Sequence, residues 1–140
     1  MQIYKLALLL LTAAILTSLS ITFFYYSFVI ENIVYYNMAV KVDDHFGLAV
    51  DNETLNFARV LPGQSAEKTV TFSNPSDHNI RVVILTQGNL SQWVKISDSN
   101  FVLFPGQKKT VAFEVLVPSY ASFGNYSGEA KIIFKKEFFK

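Results

Sequence analysis

Two histidines, eleven carboxylates and no cysteine bound the chemistry open to this 140-residue chain. His45 follows Asp43-Asp44, a grouping suited to a weak cation site, but no second ligand group stands at a metal-binding spacing. His78 lies in Asn74-Pro75-Ser76-Asp77-His78-Asn79, whose residue types read as a solvent-exposed turn. The sequence has no Gly-x-Ser-x-Gly elbow, no phosphate loop and no His-Glu-x-x-His helix. Without cysteine there is no disulfide scaffold, thiolate metal site or cysteine nucleophile. The expectation is a non-catalytic protein with no metal and no cofactor.

Modification chemistry is better represented. Asn52-Glu53-Thr54, Asn89-Leu90-Ser91 and Asn125-Tyr126-Ser127 each carry the N-glycosylation pattern, and all three fall in predicted turns. Nine asparagines and 20 serines or threonines give roughly one such match by chance. Asn52, Asn89 and Asn125 are therefore candidate acceptors, provided the chain reaches a glycosylating compartment.

The charge distribution says how it would get there. Of 23 charged residues only Lys5 precedes Glu31, and the 110 residues after position 30 carry 11 basic and 11 acidic side chains. That neutral balance argues against a nucleic-acid partner. Leu6 to Ile30 contains no charge, proline or glycine. As a helix these residues would extend roughly 37 Å, against a hydrocarbon core of about 30 Å. Aromatics collect at Phe23, Phe24, Tyr25, Tyr26 and Phe28, with Tyr4 at the other end, as interfacial belts do.

Residues 1–30 are expected to be an uncleaved membrane anchor. A cleaved signal peptide, with Leu6–Leu16 as its apolar region, and a pilin-like helix packed in a filament are the alternatives. Lys5 before the span and Glu31 after it favour the amino end inside and the carboxyl end outside. The expected location is the cell membrane, single-pass, with an extracytoplasmic carboxyl-terminal domain.

Residues 31–45 are β-branched and aromatic, and suit a strand or an extended stem linking anchor to domain, with a helix continuing from the membrane left open by so short an apolar run. Beyond them, turn residues cut the chain into about eight short strands: Leu48–Val50, Leu55–Leu61, Lys68–Phe72, Ile80–Thr86, Trp93–Ile96, Phe101–Phe104, Thr110–Val117 and Glu129–Lys135. The fold class that follows is all-β, with 46–136 as one sandwich or barrel and 137–140 as a tail. One device recurs. Leu61-Pro62-Gly63-Gln64 and Phe104-Pro105-Gly106-Gln107 each join two strands, and Pro-Gly suits the central positions of a type II turn.

The order of these elements carries a resemblance. A Pro-Gly-Gln turn precedes Thr69-Val70-Thr71-Phe72-Ser73-Asn74-Pro75, and Gly88-Asn89-Leu90-Ser91-Gln92-Trp93-Val94 comes next. A second Pro-Gly-Gln turn, a strand ending Val117-Pro118, and Gly124-Asn125-Tyr126-Ser127-Gly128 complete the pattern. Residues 55–134 thereby resemble immunoglobulin-like β-sandwich domains of archaeal and bacterial cell-surface proteins. The resemblance implies adhesion or spacing roles and no shared catalytic centre.

Independently, Gly124 and Gly128 permit a bend and close backbone approach, and Tyr126 between them could return its hydroxyl to an upstream backbone group. Trp93 is expected in the core. The tail from Lys135 is basic and amphiphilic; it extends the last strand or touches lipid headgroups. The function expected is a non-catalytic, membrane-anchored surface protein contacting another envelope protein, with self-association open. A pilin-like filament subunit or a carbohydrate-binding module using Trp93, Tyr120 and Tyr126 are the alternatives.

Overall fold

A computed structural model describes residues 1–43 and 55–138. His45, Asn52 and the expected strand Leu48–Val50 lie outside the described residues.

Helix α1 spans Gln2–Phe24 and continues through a π-helical turn, Tyr25–Val29. Its hydroxyls bond back one turn, as Thr12 to the Leu9 carbonyl and Ser20 to the Leu16 carbonyl, both at 2.9 Å. This removes the cost of placing them in hydrocarbon. None of the α1 residues is buried against the rest of the chain, and mean hydropathy reaches 2.2. The 28-residue helical stretch Gln2–Val29 is long and apolar enough to cross a membrane.

The rest of the described chain is all-β. The π turn ends at Ile30, already extended at φ −84° and ψ 118°, where β-branched residues take over. The strands are β1 (Ile30–Val42), β2 (Leu55–Val60), β3 (Ser65–Ser73), β4 (Ile80–Gln87), β5 (Val94–Ile96), β6 (Asn100–Leu103), β7 (Lys108–Leu116) and β8 (Gly124–Lys136). They form a five-stranded sheet in the order β2-β1-β8-β4-β6 and a three-stranded sheet in the order β3-β7-β5.

Of the readings open for residues 31–45, the described part is the strand and not a separate stem: Ile30–Val42 is an interior strand of the larger sheet and supplies Met38, Val40 and Val42 to the core. Alternation at those positions gives β1 one apolar face that needs burial, so it joins the sheet. Nor do Gly124–Gly128 form a bend. They begin β8, which pairs with β1 from Lys41↔Asn125 to Ile30↔Lys135.

The core lies between the two sheets. Met38, Val82, Ile132 and Leu103 from the larger sheet meet Phe72, Val111, Phe113 and Val115 from the smaller one. Both Pro-Gly segments form their expected turns, with Gly63 at φ 81° and Gly106 at φ 74°. Gln64 N–H donates to the Leu61 carbonyl at 3.1 Å, and Gln107 N–H to the Phe104 carbonyl at 2.9 Å. Neither makes a hairpin. Each carries the chain out of the larger sheet and into the smaller one, β2 to β3 and β6 to β7.

The parallel β1–β2 pair contains a bulge. Ala39 faces Asn56 while Lys41 faces Arg59, so β2 holds one extra residue there. Ala58 absorbs it at φ 62°, and its N–H donates to Asn56 Oδ1 at 3.0 Å.

Candidate functional site

Each sheet has an outward face, and the two differ in chemistry. On the smaller sheet, Glu67 pairs with Glu114, Thr69 with Ala112 and Thr71 with Thr110, the two threonine hydroxyls 2.9 Å apart. That face is mostly polar, with Leu116 (48% exposed) opposite Ser65 at one end.

The larger sheet presents an apolar one. Strand register aligns Ile33, Ile133 and Val83 in a row across β1, β8 and β4. The next row is Tyr35, Lys131 and Leu85, with Tyr35 54% and Leu85 52% exposed. Lys131 stands between the two, its Nζ 5.8 Å from the Tyr35 ring centroid, so its ammonium leans toward the aromatic ring. A third row, Asn37, Glu129 and Gln87, is polar, and Gln87 Nε2 donates to Glu129 Oε1 at 2.7 Å.

Beyond that row the face dips into a shallow depression over Gly88 and Gly128. A Cβ on Gly128 would stand 2.6 Å from the Gln87 carbonyl oxygen, and one on Gly88 2.7 Å from the Gly128 Cα. The two backbones approach this closely because neither residue has a side chain. Its walls offer amides, hydroxyls and one carboxylate, with no nucleophile beside a base. It can accept hydrogen bonds; it is not arranged for acid–base work.

The candidate acceptors separate as follows. Asn89 is exposed in the turn after β4, and its Oδ1 accepts from the Ser127 N–H at 3.1 Å. Glycosylation would use Nδ2 and leave that bond intact. Asn125 is exposed but stands in strand β8, opposite Lys41, not in a turn. Asn89 and the third sequon thus adjoin at one end of the larger sheet.

Trp93 is half-buried in a short 3-10 turn, Ser91–Trp93, with its ring centroid 4.4 Å from that of Tyr126. Both pack on the core, and the Tyr126 hydroxyl donates to the Ser122 carbonyl at 2.9 Å. Tyr120 is 86% exposed. Two of the three aromatics are committed to each other, so they do not form one open stacking surface.

The sequence carries no sign of the role of Asn74, and shows His78 only as a turn residue. Asn74 marks a turn in the sequence, yet it is the one buried polar side chain among the described residues. Its Nδ2 donates to the carbonyls of His78 (2.8 Å) and Leu103 (2.9 Å), and its Oδ1 accepts from Ser76 N–H (3.0 Å). His78 bridges two carboxylates, Nδ1 3.0 Å from Asp77 and Nε2 2.7 Å from Glu31. The Asp77 and Glu31 hydrogen bonds raise its pKa above 6.5, and His78 in turn holds the Asp77 carboxyl below 3.8. The two carboxylates occupy opposite ring nitrogens, so these three groups do not converge on a common point. Among the described residues no group of three such side chains could hold a metal ion. Comparison with known protein families, with curated proteins and with solved structures finds no match for this chain.

Proposed function

We propose that this chain is a non-catalytic, single-pass surface protein whose extracytoplasmic head binds another envelope protein through the outer face of its five-stranded sheet. One observation carries the reading: exposed Tyr35 and Leu85 flank a half-buried Ile33–Ile133–Val83 row on the outer face of the sheet whose strand β1 leaves the anchor directly. Apolar groups set around Lys131 and edged by Glu129 and Gln87 have the anatomy of a protein contact, with apolar area and hydrogen-bonding groups side by side. Lys5 in the first turns of α1 and Glu31 just past the helical stretch support a head outside the membrane.

The head is read as a variant of the immunoglobulin-like sandwich. Two facing sheets and a tyrosine returned to upstream backbone support that, and the parallel β1–β2 pair is the departure from it. Exposed Asn89 and Asn125 are compatible with glycan attachment at the end of the sheet furthest from the anchor.

Photocrosslinking in native membranes tests the assignment. A photoreactive residue at Leu85 is expected to give a discrete protein adduct, and one at Thr71 on the smaller sheet is not. Leu85→Lys should abolish binding of that partner while leaving the thermal midpoint of the head within a few degrees. Equal labelling from both faces would overturn the proposal, as would digestion patterns on intact cells that leave the head protected.

A further inference from the structure

We infer that the head is seated on the membrane surface, its base held in the headgroup layer by Lys135 against lipid phosphates. The inference rests on reading α1 as a span and adds where the head sits relative to it. Tyr4 and Tyr25 are 21 residues apart, about 31 Å along a helix, which matches a hydrocarbon core of about 30 Å. Tyrosines prefer the two interfaces, so this spacing puts the Tyr25 hydroxyl at headgroup level.

The chain then turns Lys135 back to that level. Strand β8 runs antiparallel to β1 and brings Lys135 opposite Ile30, one residue after the π turn. Lys135 Nζ donates to the Tyr25 hydroxyl at 2.7 Å and lies 5.4 Å from the ring centroid. Among the described residues no carboxylate pairs with it, whereas Arg81 is paired with Glu137 and Lys136 lies 3.8 Å from Glu31. An ammonium held by a phenol hydroxyl in the headgroup zone has no counter-charge among the described residues. Phosphate oxygens are the anions present at that depth.

The same end of the head carries exposed apolar groups. Ile80 pairs with both Leu103 and Lys136, so Phe104, next after Leu103, and Phe138, two residues past Lys136, stand at the base. Phe104 is 57% and Phe138 64% exposed. Lys108, exposed at the start of β7, adds a second cation without a carboxylate partner among the described residues. Cations interleaved with aromatic rings suit the boundary between headgroups and acyl chains.

The absence of cysteine makes the test direct, since a single introduced thiol is the only label site. Ser73 and Ser65 close the two ends of the nine-residue strand β3, both exposed, about 26 Å apart at 3.3 Å per residue. Full-length Ser73→Cys and Ser65→Cys proteins, each carrying a fluorophore, are reconstituted in phosphatidylcholine vesicles with 30% phosphatidylglycerol and a headgroup-nitroxide lipid. The label at Ser73 is expected to be quenched at least twofold more than the label at Ser65. Lys135→Glu in the Ser73→Cys protein should remove most of that difference while the far-UV spectrum is unchanged. A chain that washes off the vesicles at alkaline pH overturns the span and the seating together. A chain that stays bound, with both labels quenched alike or with Lys135→Glu showing no effect, overturns the seating alone.

Discussion

His78 Nε2 lies 2.7 Å from Oε1 of Glu31, a residue 47 positions earlier and the first charge after the span, while its Nδ1 meets Asp77 at 3.0 Å. The contact ties the turn between β3 and β4 to the first residues of β1. It therefore joins the head to the point where the chain leaves the helix, and it depends on the imidazole's proton.

The pH dependence follows in sign. The Asp77 and Glu31 bonds raise the His78 pKa above 6.5 in the folded head. Its stabilising contribution is complete below pH 6.5 and is lost as pH rises through the raised folded value. The paired effect on Asp77, whose carboxyl is held below 3.8, is lost instead as pH falls through that lowered value. An NMR titration should place the His78 midpoint above 6.5, and thermal stability should decline with pH through that midpoint. In His78→Ala that slope should vanish; an unchanged slope would remove His78 as its source.

Asn74→Ala should cost about 2–3 kcal/mol, because it strands the buried Leu103 carbonyl and loses the bonds that close the turn. Asn74→Asp should cost at least as much, since a carboxylate would face the Leu103 and His78 carbonyls. Urea unfolding of the head measures both, with an unchanged m-value expected.

Ala58→Gly should stabilise by roughly 0.5–1 kcal/mol, raising the thermal midpoint by a few degrees. Ala58 sits at φ 62°, where its Cβ crowds the following carbonyl and glycine has no such contact. A midpoint that falls would mean the alanine methyl contributes packing that outweighs this strain.

Gly128→Ala should destabilise by about 1–3 kcal/mol, because the new methyl would stand 2.6 Å from the Gln87 carbonyl oxygen and must push β4 away from β8. Amide exchange should quicken first at Leu90 and Ser127, whose N–H groups bond across that junction. Gly106→Ala has open space for its methyl and should show only the strain of its positive φ, a smaller loss.

Residue type and period alone determine a good deal of this protein. Leu6–Ile30 has no residue that could break a helix or need water, so a long apolar helix follows from composition. The alternation in Thr110–Val117 and Glu129–Lys135 was legible as strand because one face of each must be buried. Pro62-Gly63 and Pro105-Gly106 were legible as turns because the ring sets one φ and glycine accepts the next.

Which strands meet was decided only in three dimensions. Nothing local says that Ile30 pairs with Lys135 or that Tyr35 and Leu85 share a surface, since pairing couples residues separated by most of the chain. The same holds for Asn74 and His78, whose types read as an exposed turn until Leu103 and Glu31 are brought to them. The candidate face, too, is a product of register. Each strand offers one or two apolar residues on its outer side, and only their alignment across β1, β8 and β4 makes one continuous patch.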